Sequence, residues 1–105
     1  MKKIECIIPN HKLLALEIAL KEQGVRGMTV TEVKGFGQDR DRPDTFLLLS
    51  KTKIEIYSND HQLEDIITRI QLICRTGQKG DGKIAIYEIE DVMRLRTGER
   101  GEIAV

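Results

Sequence analysis

The sequence has no surplus of charge of either sign: 17 Lys and Arg stand against 17 Asp and Glu in 105 residues. With a formal net charge of zero, no global field draws the chain toward nucleic acid or an anionic membrane, so any anion site has to be local. Long apolar runs are missing too. Stretches such as Phe46–Leu49 fall far short of the roughly 20 residues that cross a bilayer. The opening MKKIECIIPN has no signal-peptide layout, so the expected location is the cytoplasm, with no membrane-embedded part. Cysteine is scarce. Cys6 and Cys74 have no short metal spacing between them and each sits in an apolar pattern, which predicts buried free thiols rather than a bridge or a metal site. His11 and His61 stand at predicted helix starts, where a capping or solvent role fits better than catalysis.

What is present suffices for one modest core. At 40% hydrophobic content, residues 1–105 form a single domain. In KKIECIIP, Ile4, Cys6 and Ile8 share one face, a strand ended by Pro9. Leu13, Leu16 and Leu20 then follow helical spacing from His11 to Gln23, and Gly24 stands where a helix stops. Leu14 and Ile18 widen the apolar arc, as a partner surface or as looser amphipathicity. MTVTEVK at 28–34 and KTKIEIY at 51–57 read as strands. Asn59, with Gln62 three positions on, predicts a cap for a helix striped by Leu63, Ile66, Ile67, Ile70 and Cys74. KIAIYEI at 83–89 reads as a last strand, followed by a short element at Asp91–Arg96 and a tail.

The order β-α-β, long loop, β-α-β predicts an α+β ferredoxin-like sandwich, a split βαβ with two helices on one face of a four-stranded sheet. The other face stays uncovered, so self-assembly is expected on physical grounds.

The chemistry lies in RTGQKGDGKI, Arg75 to Ile84. Gly77, Gly82 and Lys83 have the spacing of a Walker phosphate loop, but the segment follows a helix and opens a strand. Ile84 also stands where Ser or Thr would hold magnesium. A Walker-type NTPase is therefore set aside. Gly77, Gly80 and Gly82 can still expose N–H groups as an anion nest beside Lys83; the alternative is a helix C-cap at Gly77 and a tight turn. Arg94, Arg96 and Arg100 add the cations that a polyphosphate needs, or else form a solvated tail.

GMTVTEVKGFG at 27–37, TGQKGDGKI at 76–84 and RLRTGERGE at 94–102 resemble, in order and across the whole chain, the PII signal-transduction family. The resemblance implies a homotrimer that binds ATP or ADP, with AMP a further candidate and magnesium accompanying ATP, in clefts between subunits. It implies a non-enzymatic regulator of an enzyme or membrane transporter in nitrogen or carbon metabolism, acting through a loop at about 37–51. Gly80, Asp81, Gly82 and Lys83 would form the phosphate loop at about 76–83. Arg94 and Arg96, in a C-terminal loop at about 94–105, would reach in from the adjacent subunit. Ile7, Thr29, Glu55 and Tyr57 would surround the adenosine, and Gly35, Phe36, Gly37 and Gln38 would lead into the regulatory loop. Gln38 and Lys51 would be the effector pair for 2-oxoglutarate.

The chain departs from the family pattern at several places. Tyr57 replaces the usual aliphatic residue and Ala85 the usual aromatic one. The loop QDRDRPDTFLLLS at 38–50 is short and has no tyrosine, which argues against uridylylation, and Ser50 is outside any serine motif that relatives phosphorylate. Gln38 sits one position early, with Asp39 in the glutamine's place; that carboxylate can bind magnesium or repel a dicarboxylate. These departures open a second reading, a bicarbonate-linked sensor without a 2-oxoglutarate response. A small nucleotide hydrolase and a purely structural trimer are the remaining alternatives. Within the loop, QDRDRPD reads as a solvated turn, while Phe46–Leu49 either contacts a partner or neighbouring subunit or extends the next strand.

Overall fold

The computed structural model describes residues 1–38 and 47–105. The QDRDRPD turn beyond Gln38, Asp39 and Phe46 therefore lie outside the described residues. The elements are β1 (Lys2–Ile8), α1 (Leu13–Glu22), β2 (Thr29–Gly35), β3 (Leu49–Ser58), α2 (Leu63–Cys74) and β4 (Lys83–Glu88). They form one antiparallel sheet in the order β2-β3-β1-β4, the ferredoxin-like arrangement that the element order predicts.

The two-residue period of β1 puts Ile4, Cys6 and Ile8 on the helix-covered face, with Ile54 and Ile56 of β3 beside them. Leu16, Ala19 and Leu20 from α1, and Ile66, Ile70 and Cys74 from α2, close over that layer. Each large aliphatic side chain so buried contributes about 1.5–3 kcal/mol. Ile66, 3% exposed, is a calibrated probe: Ile66→Val should lower stability by about 1 kcal/mol, read as a shift in the urea midpoint at constant slope. Cys6 and Cys74 are free and buried, as expected, and burial pushes the Cys6 thiol up to about 12.

The helix ends show where local chemistry won or lost. α1 stops at a Schellman motif: Gly24 at φ 94° donates to the Lys21 carbonyl, and Val25 to that of Leu20. Asn59, in contrast, makes no capping bond with its side chain. A 3-10 turn, Asp60–Gln62, intervenes, and the Asn59 backbone carbonyl takes the Gln62 N–H instead, leaving Oδ1 buried and unpartnered. His11 and His61 lie inside such turns and cap neither helix. Gly77 is not the C-cap of α2, because Arg75 already turns extended, at ψ 126°. Residues 91–96 form neither helix nor strand; Met93 bridges to Arg100 across a tight turn. β3 begins at Leu49, so strand extension accounts for Leu49 and Ser50. Leu14 and Ile18 are exposed on α1.

The uncovered sheet face is not apolar. Lys53 lies 3.5 Å from both Glu5 and Glu55, and Lys3 lies 3.7 Å from Glu55 and 4.8 Å from the Tyr87 ring centroid. Glu5 and then Glu55 hold the Lys53 ammonium above its ordinary range. A neighbour packed here has to meet a half-buried charge ladder, which favours a specific register over indiscriminate apolar association.

Candidate functional site

The segment between α2 and β4 needs glycine. Gly77, Gly80 and Gly82 sit at φ 84°, 96° and 107°, conformations that L side chains rarely adopt. At Gly82 space is missing as well: a Cβ there would overlap the Ile7 carbonyl oxygen. That close approach ties the loop to β1 and sets Lys83, at the head of β4, opposite Ile7. Asp81, Gly82 and Lys83 line, with Arg75 and the apolar side chains Ile8, Ile67, Ile70, Cys74 and Ile84, a depression of about 440 Å³. The Asp81 carboxylate turns back into its own loop and accepts from the N–H groups of Thr76, at 2.8 Å, and Gly77, at 2.9 Å, and from the Thr76 hydroxyl. The Thr76 bonds first, and more weakly the charge of Lys12, hold Asp81 below the usual carboxylate range. Lys12, on the turn before α1, is a cation beside the loop that nothing in the sequence motif reveals.

The same end of the sheet carries Gly35, which closes β2 opposite Leu49, with Phe36, Gly37 and Gln38 following it. Lys51 shares the open face with Lys53, and Asn10 clasps the residues on either side of it. The Asn10 amide donates to Ser50 Oγ at 3.1 Å and accepts from Thr52 Oγ1 at 2.7 Å. This clasp fixes where the long loop rejoins the sheet.

Thr29, Glu55 and Tyr57 gather elsewhere. Thr29 opens β2 opposite Glu55, and with Tyr57, Met28, Gln62 and Ile103 they line a cleft of about 600 Å³, within the range of small-molecule sites. Tyr57 is 49% exposed at its wall. The C-terminal loop belongs to this half. Arg94 donates to Glu99 at 2.9 Å and to the carbonyl of Ile103 at 3.1 Å. Arg100 pairs with Asp91, with Nε at 2.6 Å. Arg96 is exposed and bonds to no described residue, next to Leu95, 93% exposed.

Asp91 also accepts from the N–H groups of Val92 and Gly101, and the Arg100 bond first, then these, depress its pKa. A carboxylate depressed in the folded state stabilises above the unfolded value, about 4, and loses that contribution as pH falls through the folded one. The Gly101 amide resonance should therefore hold steady from neutral pH down to about 4 and move only below it; in Asp91→Asn that acid step should vanish.

The site residues thus divide in two. The cleft beside Thr29 and Tyr57 and the depression beside Gly82 and Lys83 share no residue, and Thr29 and Gly35 lie at opposite ends of β2, roughly 20 Å apart at the rise of a strand. Among the described residues no three His, Cys, Asp or Glu gather to hold a metal, and no helix is long and apolar enough to cross a membrane.

Residues 1–99 match the family model described as nitrogen regulatory protein P-II. Proteins of that name from Rhodospirillum rubrum, Mesorhizobium japonicum and Nostoc punctiforme are 45%, 44% and 43% identical, with all of each chain covered. Those alignments span 112 positions against 105 residues here, so the relatives carry positions that this chain lacks. With the family model matched over nearly the whole sequence and relatives aligned end to end, the chain belongs to the nitrogen regulatory protein P-II family.

Proposed function

We propose that this chain is a cytoplasmic, non-enzymatic signal-transduction protein. It binds ATP or ADP in clefts between copies of itself, as a homotrimer, and passes the nucleotide state to an enzyme or transporter through the loop after Gly37. The division of the site supports this reading. Thr29, Glu55 and Tyr57 line one cleft, while Asp81, Gly82 and Lys83 line another with no residue in common. A nucleotide held by both sets bridges two chains. On the base side, Tyr57 offers a ring for stacking and Glu55 a carboxylate for ribose hydroxyls. On the phosphate side, the N–H groups of the glycine loop and Lys83 meet the anion, and Arg96 arrives from the next copy.

Isothermal titration of the purified protein should show one ATP or ADP per chain. Absence of any adenine-nucleotide binding would overturn the reading. Repeating the titration with 2-oxoglutarate or bicarbonate present separates the two effector readings: Lys51 as an effector cation predicts tighter ATP binding with 2-oxoglutarate, whereas the carbon-linked reading predicts a response to bicarbonate alone.

A further inference from the structure

The sequence offers Asp81 as one more member of a loop around phosphate, yet a bare carboxylate aimed at a phosphate would repel it. The structure shows the carboxylate aimed elsewhere. Its two oxygens take the Thr76 N–H, the Gly77 N–H and the Thr76 hydroxyl. The same hydroxyl accepts from the Gln78 N–H at 3.2 Å, and the Asp81 N–H reaches back to the Gln78 carbonyl at 3.4 Å. Three successive amides at the start of the loop are thereby consumed by one side-chain pair. Successive N–H groups in a glycine turn make a concavity that suits an anion, and here the anion is supplied by the chain itself.

Resting on the nucleotide reading above, we infer that Asp81 is a positioning residue: an internal anion that fills the first half of the nest and so holds Gly80, Gly82 and Lys83 ready for phosphate. Two consequences are specific. An incoming phosphate is confined to the Gly80–Lys83 side of the loop, where Gly82 is already pinned against the Ile7 carbonyl. The loop also reaches its ligand-ready form before any nucleotide arrives, so the ordering cost is met during folding rather than during binding. Thr76 is the necessary partner, because its hydroxyl donates to the carboxylate while accepting from Gln78.

The test has two arms. In the first, Asp81→Asn and Thr76→Val are titrated with ATP and with adenosine. An asparagine amide cannot accept from all three donors and a valine has no hydroxyl. ATP affinity should fall roughly tenfold for Asp81→Asn, the size of one lost charge-assisted hydrogen bond, and in the same direction for Thr76→Val. Adenosine affinity should stay unchanged, and Thr76→Ser should restore ATP binding. Equal losses for ATP and adenosine would make the pair merely structural, and no loss for either would overturn the inference. The second arm needs no ligand. Hydrogen exchange of the Thr76, Gly77 and Gln78 amides should speed up in Asp81→Asn and Thr76→Val but not in Thr76→Ser; unchanged exchange would overturn the inference even if ATP binds. Wild-type protein that shows the exchange pattern but binds no ATP would instead overturn the nucleotide reading and leave Asp81 as the loop's own anion.

Discussion

Gly82→Ala should abolish detectable nucleotide binding and lower stability by about 2 kcal/mol or more. Two separate penalties fall on this position. Alanine at φ 107° is strained whatever the space around it, and its Cβ would overlap the Ile7 carbonyl oxygen. Relief requires the loop to move away from β1, which carries Lys83 out of register with Ile7. Gly77→Ala supplies the control. Gly77 has a positive φ of 84°, but a Cβ there would meet nothing within 4 Å, so only the conformational penalty applies, about 1 kcal/mol. For a domain of this size the difference should separate the two melting temperatures by several degrees. Equal effects at the two glycines would mean that the approach to Ile7 has no role.

Arg96→Ala should weaken ATP binding by roughly 10- to 100-fold, the range of a charge-assisted contact to phosphate, with little change in stability. Arg94→Ala should behave differently. Arg94 is already tied to Glu99 and to the Ile103 carbonyl, so its removal loosens the C-terminal loop as well as any ligand contact. The Arg96 side chain bonds to no described residue and is exposed, so truncating it leaves nothing unsatisfied. The loss at Arg96 should be larger for ATP than for AMP, as only the longer chain of phosphates reaches across the cleft. If AMP and ATP weaken alike, Arg96 contacts the nucleoside end instead.

Much of this fold can be read directly from the residue pattern. Ile4, Cys6 and Ile8, with Ile54 and Ile56, obey a two-residue period because one sheet face is covered and the other is not. Ile66, Ile70 and Cys74 obey the helical period for the same reason. Gly24 announces the end of α1 because few other residues adopt its conformation. What the pattern hides are the choices between equivalent partners. Asn59 has a capping side chain and a backbone carbonyl, and the 3-10 turn brings the carbonyl into use. Asp81 is visible as a carboxylate among glycines, but which N–H groups it takes depends on how the loop folds back. Arg94, Arg96 and Arg100 look alike in sequence, and only the turn between Met93 and Arg100 decides that two are committed within the chain. The residues proposed around one nucleotide come from the resemblance, and strand register sets Ile7 opposite Lys83, away from Thr29, Glu55 and Tyr57. The division between two depressions follows from that register, which no local motif encodes.

Mixing two variants tests whether the site is completed by two chains. Lys83→Ala and Arg96→Ala chains, each weakened for ATP alone, are denatured together and refolded in equal amounts. Each variant is intact where the other is not, so a shared site predicts that about a quarter of the sites in randomly mixed rings regain wild-type affinity. Refolding each variant by itself should restore none. A mixture that binds no better than its separate components would contradict the claim and place the complete site within one chain.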